Sequence, residues 1–358
     1  MSTSTKQSND NIVQLRAPKL SLPAFSYSVL DQAEKDIQEN FNKVDHSIYP
    51  HWTGEGAPIE RIVSNTDKAR ESVRSSVIAV EAKVNSTTTL STLNGFIIQA
   101  LEDLEDAETP EEIAELEAKI ARYREQGDKD VKDITDTLSE WNKTLTGHEG
   151  DIMFYDFGSM MTDEFDEITI KIKHLEEVKA TAKQNMEDAE EKRKTLADAL
   201  EILLLEENIF QQLGELIPTL DEIQALMELN SQQAAIIVLA LDLLSNLSSI
   251  IGDIFQEKMF SDAQDHYYGL VTLFTQEFDD AEEQLHQENI KQEAIELLIG
   301  IDELRGGFCT EMTNLSTAYS AVASAMESSL ELDRDYTQIL SDAEAMTDYM
   351  QAIISDIN

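Results

Sequence analysis

The side chains with chemistry to offer in this chain are six histidines, one cysteine and a large surplus of carboxylates. His46, His51, His148, His174, His266 and His286 never fall into the His-Glu-x-x-His spacing that sets two imidazoles and a base on one helix turn around zinc. The run GHEGD, Gly147 to Asp151, holds His148, Glu149 and Asp151 as metal donors. Polar loops commonly carry these residue types, so an ordinary loop is the favoured reading. His46 and His51 flank SIYP at no helical spacing, which suits capping or packing. Cys309 stands alone, so no intrachain disulfide forms and the redox compartment is undefined. It reads as a small residue packed near a helix start rather than a nucleophile. Pairs such as Asp279-Asp280 and Glu282-Glu283 could do acid–base work only inside a cleft. With 71 acidic against 27 basic residues, they read as solvated helix faces. There is no phosphate loop, dinucleotide fingerprint or nucleophile elbow. No catalytic residue, no metal and no cofactor are expected.

A different chemistry is written in the stretch from Leu229 to Phe255. Asp242, Asn246, Ser249 and Asp253 step by four, three and four, one face of a helix. Ile236, Ile237, Leu239, Leu243, Leu244, Leu247, Ile250, Ile251, Ile254 and Phe255 cover the rest, a wider apolar surface than a bundle helix needs. As a helix, Ala234 to Phe255 would span about 33 Å, close to a hydrocarbon core of about 30 Å. Asp242 near its centre costs on the order of 3 kcal/mol on insertion scales, which argues against a permanent single-pass span. Two settings satisfy such a helix. It is core, with its carboxylates at the edge of a head, or it assembles in lipid with the Asp-Asn-Ser face lining water. From the stretch alone, plain core is favoured.

The elements around it are helical. Gly numbers 13 and Pro 6, both few for 358 residues, and hydrophobic residues make up 41%. The net charge of −44 with no basic stripe excludes a nucleic-acid partner and disfavours simple docking on an anionic membrane. Residues 1–22 read as a flexible tail, without the basic-then-apolar pattern of a cleaved signal. A helical stripe runs through Leu30, Ala33, Ile37, Phe41, Val44 and Ile48 to Tyr49-Pro50. One long helix is expected over about 59–106, with a Thr-rich middle. Another starts at the Thr109-Pro110-Glu112 signal and ends near Leu145, with a disturbance at Gly127. Thr146 to Phe165 reads as a connection, with the aromatic MFYDF, Met153 to Phe157, as a packing plug. A loop contacting membrane or a partner is the lesser reading of that cluster.

The clearest period follows. Ile168, Ile172, Leu175, Val178, Ala182, Met186, Ala189, Leu196, Leu200 and Leu203 keep close to a 3.5-residue repeat, with Arg193 in one slot. After the apolar insert a second arm carries Tyr268, Val271, Phe274, Phe278, Ala281, Leu285, Ile290, Ala294, Leu298 and Ile301. A break is expected at Gly306-Gly307, then a last helix from Met312 to Ile353. The fold class is all-α: an elongated antiparallel bundle of long helices with a small hydrophobic head at one end.

On these residues the chain resembles the alpha-helical pore-forming toxins of the cytolysin A type. That group includes the Bacillus haemolysin BL components, the Xenorhabdus and Yersinia binary cytotoxins and the Vibrio motility-associated killing factors. The matching parts are the arm Ile168–Leu203, the insert Leu196–Phe255 and the arm Tyr268–Ile301. The resemblance implies a head, 196–261, between two parts of a tail bundle, 23–195 and 262–358, and allows a short β-tongue in the head. It implies a toxin component secreted without a cleaved signal, with host membrane lipid as a partner. On the membrane it would form homo- or hetero-oligomers with homologous components from neighbouring genes. The ten apolar residues above would then insert, and Asp242, Asn246, Ser249 and Asp253 would line the pore. The insert departs from the Gly/Ala-rich tongue of some members by carrying acids, which leaves pore-forming and accessory roles both open. The rival reading is an intracellular coiled-coil scaffold whose insert stays core.

Overall fold

The computed structural model describes residues 20–205, 210, 220–227, 229–247, 257–332 and 336–357. Ten helices are described: α1 Tyr27–Lys43, α2 Pro50–Thr53, α3 Pro58–Asn85, α4 Thr87–Asp106, α5 Pro110–Met153, α6 Gly158–Leu203, α7 Leu220–Met227, α8 Ser231–Asn246, α9 Glu257–Leu332 and α10 Thr337–Ile357. No strand occurs among the described residues, so the all-α class holds there and a β-tongue is not seen.

Local chemistry sets most helix starts. The Ser26 hydroxyl accepts from the Val29 N–H at the head of α1. At α5, the Glu112 N–H donates to Thr109 Oγ1 at 3.3 Å, and the Thr109 N–H donates to Glu112 Oε2 at 3.1 Å, with Pro110 in the first turn. This is the reciprocal cap that the sequence predicts. α1 stops at Lys43, earlier than its apolar stripe, because the chain turns: Asp45 Oδ1 accepts from the Ser47 N–H at 2.9 Å. The long helix expected over 59–106 is two helices meeting at Ser86. There Thr88 donates to Asn85 O, and Ser86 to Lys83 O, side chains competing for backbone acceptors.

Two expected breaks are absent and a third is shortened. α5 continues through Gly127, and a Cβ built there would stand 2.5 Å from the Tyr336 ring. Glycine is demanded by that contact, and the Tyr336 hydroxyl lies within reach of Arg124 O (2.8 Å) and Asp128 Oδ1 (2.7 Å). α9 runs unbroken through Gly306-Gly307. Each glycine costs a helix about 1 kcal/mol, and buried Arg305, Phe308, Cys309 and Met312 on the same turns hold it in place. Cys309 is therefore mid-helix rather than near a start. Lastly, the connection expected over 146–165 shrinks to residues 154–157, between α5 and α6. Buried Arg305 explains this. Its Nη1 donates to Ile152 O (3.2 Å) in the last turn of α5 and to Tyr155 O (2.7 Å) in the connection itself. The guanidinium also lies 4.8 Å from the centre of the buried Phe157 ring, so MFYDF is in part the expected plug.

The chain divides into two compact units, residues 1–162 with 294–358, and residues 163–293. In the first, α1, α3, α4, α5, α10 and the end of α9 pack around Ile37, Ile62, Val77, Leu138, Tyr319 and Met346. In the second, α6 and the first half of α9 run antiparallel. Thr169 pairs with Gln292, Lys171 with Glu288, Lys179 with Glu282 and Met186 with Thr275, so numbers rise on one helix as they fall on the other. Ile168, Leu175, Ala182, Ala189, Leu196 and Leu203 are buried at intervals of seven, the heptad seam of the sequence reading.

Glu288 sits in that seam, 5% exposed, accepting from Lys171 Nζ (2.6 Å) and Lys291 Nζ (2.8 Å). Burial pushes its carboxyl up, but the two lysines outweigh burial and hold it below the ordinary range. A carboxylate so depressed stabilises the fold above its unfolded pKa, and that contribution fades as pH falls through its folded pKa. Glu288→Gln should cost about 1–2 kcal/mol at pH 7. The gap in melting temperature between variant and wild type should close as the pH approaches the acid range, measured by circular dichroism.

Candidate functional site

The apolar insert enters the structure as α8. Asn230 caps it: Oδ1 accepts from the Gln232 N–H (3.1 Å) and the Gln233 N–H (3.0 Å), while Gln233 Oε1 accepts from the Asn230 N–H (3.4 Å). The Asn-x-x-Gln signal was legible before the apolar run and is missing from the sequence reading above. α8 ends at Asn246, and the Leu247 N–H turns back to Leu243 O and Leu244 O. Its 16 residues are about 24 Å long. Among the described residues, no helix is long and apolar enough to cross a membrane. Ser249, Ile250, Ile251, Asp253, Ile254 and Phe255 lie outside the described residues.

The inner face of α8 is Ala234, Ile237, Ala240, Leu241 and Leu244, followed by Leu247, all buried. They meet Leu196, Ala199 and Leu203 of α6, Ile223 of α7, and Met259, Phe260, Ala263 and Tyr267 of α9. Ile236 and Leu243 are half-buried against the same core. The outer face, at the helical steps of three and four, is Leu239, Asp242 and Asn246. Leu239 is 59% exposed. The structure thus gathers Ile237, Leu244 and Leu247 into one core and brings Asp242 and Asn246 to the surface together. Leu239 and Leu243 face Asp188, Glu191, Lys192 and Thr195 of α6 across a shallow groove of about 370 Å³. Two exposed leucines absent from the sequence reading, Leu204 and Leu205, follow α6 directly. The period that places Leu196, Leu200 and Leu203 ends there, a signal that they leave the seam.

Among the described residues the titratable groups make no second centre. His148 shares a hydrogen bond with Ser72 Oγ at 2.9 Å, His46 tilts onto Phe41, and His51 packs on Trp52. Among the described residues no three His, Cys, Asp or Glu side chains could hold a metal ion. Burial pushes the Cys309 thiol up to about 12, far from the thiolate that a nucleophile needs.

No family model and no curated protein matches the sequence. Solved structures do. PaxB from Photorhabdus luminescens superposes with a TM-score of 0.78 at 14% identity, over 94% of this chain and 98% of that one. XaxB from Xenorhabdus nematophila gives 0.70 at 14%, over 94% and 99%. A chain of the XaxAB pore complex from Xenorhabdus nematophila gives 0.67, also at 14%, over 94% and 99%. The chain has the fold of PaxB and XaxB. At such identity the likeness is one of fold alone.

The two faces of α8 should respond differently to truncation. Leu244→Ala opens a cavity at a fully buried site and should cost about 2–5 kcal/mol. Leu239→Ala should stay within about 0.5 kcal/mol of wild type. Urea unfolding midpoints at constant slope measure both.

Proposed function

We propose that this chain is a component of a secreted pore-forming toxin that binds a target-cell membrane through its head and assembles there with partner components. The observation that supports this is a likeness to PaxB and to a chain of the XaxAB pore complex over 94% of this chain, joined to an apolar helix folded inward with Leu239, Asp242 and Asn246 on its outer face. In the compact state the core of unit 2 shields Ile237, Leu244 and Leu247 from water. Contact with lipid supplies an alternative apolar surrounding, so α8 can leave that core without exposing these side chains. α8 alone is shorter than a bilayer core, so insertion must recruit the chain beyond Leu247 toward Phe255. The inserting residues are then Ile236, Ile237, Leu239, Leu243, Leu244, Leu247, Ile250, Ile251, Ile254 and Phe255. Asp242 and Asn246, with Ser249 and Asp253, face the lumen, where polar residues at membrane depth meet water.

Dye release from phosphatidylcholine vesicles, by the chain alone and with the products of neighbouring genes, tests the reading. Release in either arm is expected. If no combination releases dye and the chain never sediments with lipid, the scaffold reading takes its place.

In a conducting assembly, a ring of Asp242 carboxylates favours cations. Asp242→Asn should leave the melting temperature nearly unchanged, because the side chain is exposed, and should shift the reversal potential in a salt gradient toward zero. An unchanged reversal potential in planar bilayers removes Asp242 from the lumen.

A further inference from the structure

Residues 196–261 contain eleven Asp and Glu against Lys258 alone. Glu201, Asp221, Glu222, Asp242 and Glu257 are exposed on described helices. Any lipid surface that meets this part of unit 2 meets a dense negative field. Leucine also reaches the surface here: Leu204, Leu205 and Leu239 are each more than half exposed. Leu239 marks the α6–α8 groove, whose lining combines three chemistries within about 370 Å³. Leu239 and Leu243 are apolar. Asp188 and Glu191 are anionic. Lys192 is the cation of the lining; its ammonium lies 5.9 Å from the Tyr267 ring centre, and it has no ion pair among the described residues.

We propose that this groove takes the headgroup of a zwitterionic phospholipid, and that the acidic surface of the same unit turns the chain away from anionic lipid. The proposal rests on the pore-forming reading and narrows it to a lipid class. A zwitterionic headgroup carries a phosphate and an ammonium a few bonds apart. Lys192 answers the phosphate, Asp188 and Glu191 answer the ammonium, and Leu239 with Leu243 meets the glycerol and first methylenes. An anionic headgroup adds a charge that the groove's single lysine cannot balance, beside a surface rich in carboxylates. At a leaflet potential of about −30 mV each additional like charge lowers binding roughly threefold, within a screening length of about 10 Å at 0.1 M salt. Three exposed carboxylates close to the bilayer therefore set a preference of more than about tenfold.

Flotation with phosphatidylcholine vesicles, with and without about 30% phosphatidylserine, measures this in low and high salt. The chain should float with phosphatidylcholine. Phosphatidylserine should reduce the bound fraction about tenfold at low salt, and high salt should restore it. Glu201→Gln with Asp221→Asn and Glu257→Gln should raise binding to the mixed vesicles about tenfold and leave phosphatidylcholine binding unchanged. Lys192→Glu should lower phosphatidylcholine binding about tenfold and Lys192→Arg should keep it, with both melting like wild type because Lys192 is exposed. Equal binding to both vesicles, a salt-insensitive preference or a neutral Lys192→Glu overturns the proposal while dye release leaves the pore-forming reading standing. Binding that requires a companion component places lipid recognition elsewhere and overturns the groove. If there is neither flotation nor dye release, both fall.

Discussion

Burial of the α8 inner face is the contact on which the proposed activity turns. Ile237, Leu241 and Leu244 are shut against α6, α7 and α9, and burying side chains of this size contributes about 1.5–3 kcal/mol each. Those side chains are also the ones that a bilayer would welcome. A helix of this composition left in water would be an aggregation hazard, and one fixed in a rigid core could not be released. The compromise visible here is a helix short of a membrane span, capped at Asn230, closed at Leu247 and bounded outward by Asp242 and Asn246.

The arm beside it is built to hold register more than to bury area. The α6–α9 seam spends heptad positions on Ala182, Ala189 and Ala281, which bring the helices close but bury little apolar surface. Direction and register are then specified by the pairs that cross the two helices, Lys171 on Glu288 and Lys179 on Glu282 and over Phe278, while Lys291 on α9 itself gives Glu288 its second partner. Misalignment would leave the buried Glu288 carboxylate without partners, the costly outcome for a buried charge. In the other unit, Arg305 does comparable work. It closes the end of α5, lies on Phe157 and makes a four-residue turn suffice where a long loop was expected.

Charge gives the proposed function its second constraint. At −44 the chain repels copies of itself and anionic surfaces alike. Assembly therefore asks for a partner surface or a lipid class that does not add to the repulsion. A companion component with basic surface and a zwitterionic leaflet both meet that demand.

The sequence alone determined the helical class, the heptad seam and the apolar insert, because each is a periodic signal that local packing must satisfy. Ile168 to Leu203 stay at the seam where the spacing put them, and Thr109 to Glu112 caps α5 as its residue types require. The sequence also placed Asp242 and Asn246 on one face. Tertiary structure decided what local signals cannot: which helix breakers break. Gly127 is kept for the Tyr336 ring, and Gly306-Gly307 stay helical because their neighbours on α9 are core. Loop-like residues at 147–153 are helix because Arg305, more than 150 positions away in the case of Ile152, receives the end of α5. It also decided which leucines of α8 are hidden and which meet solvent. A helical wheel divides polar from apolar, but only the neighbours α6, α7 and α9 choose Leu244 for the core and leave Leu239 outside.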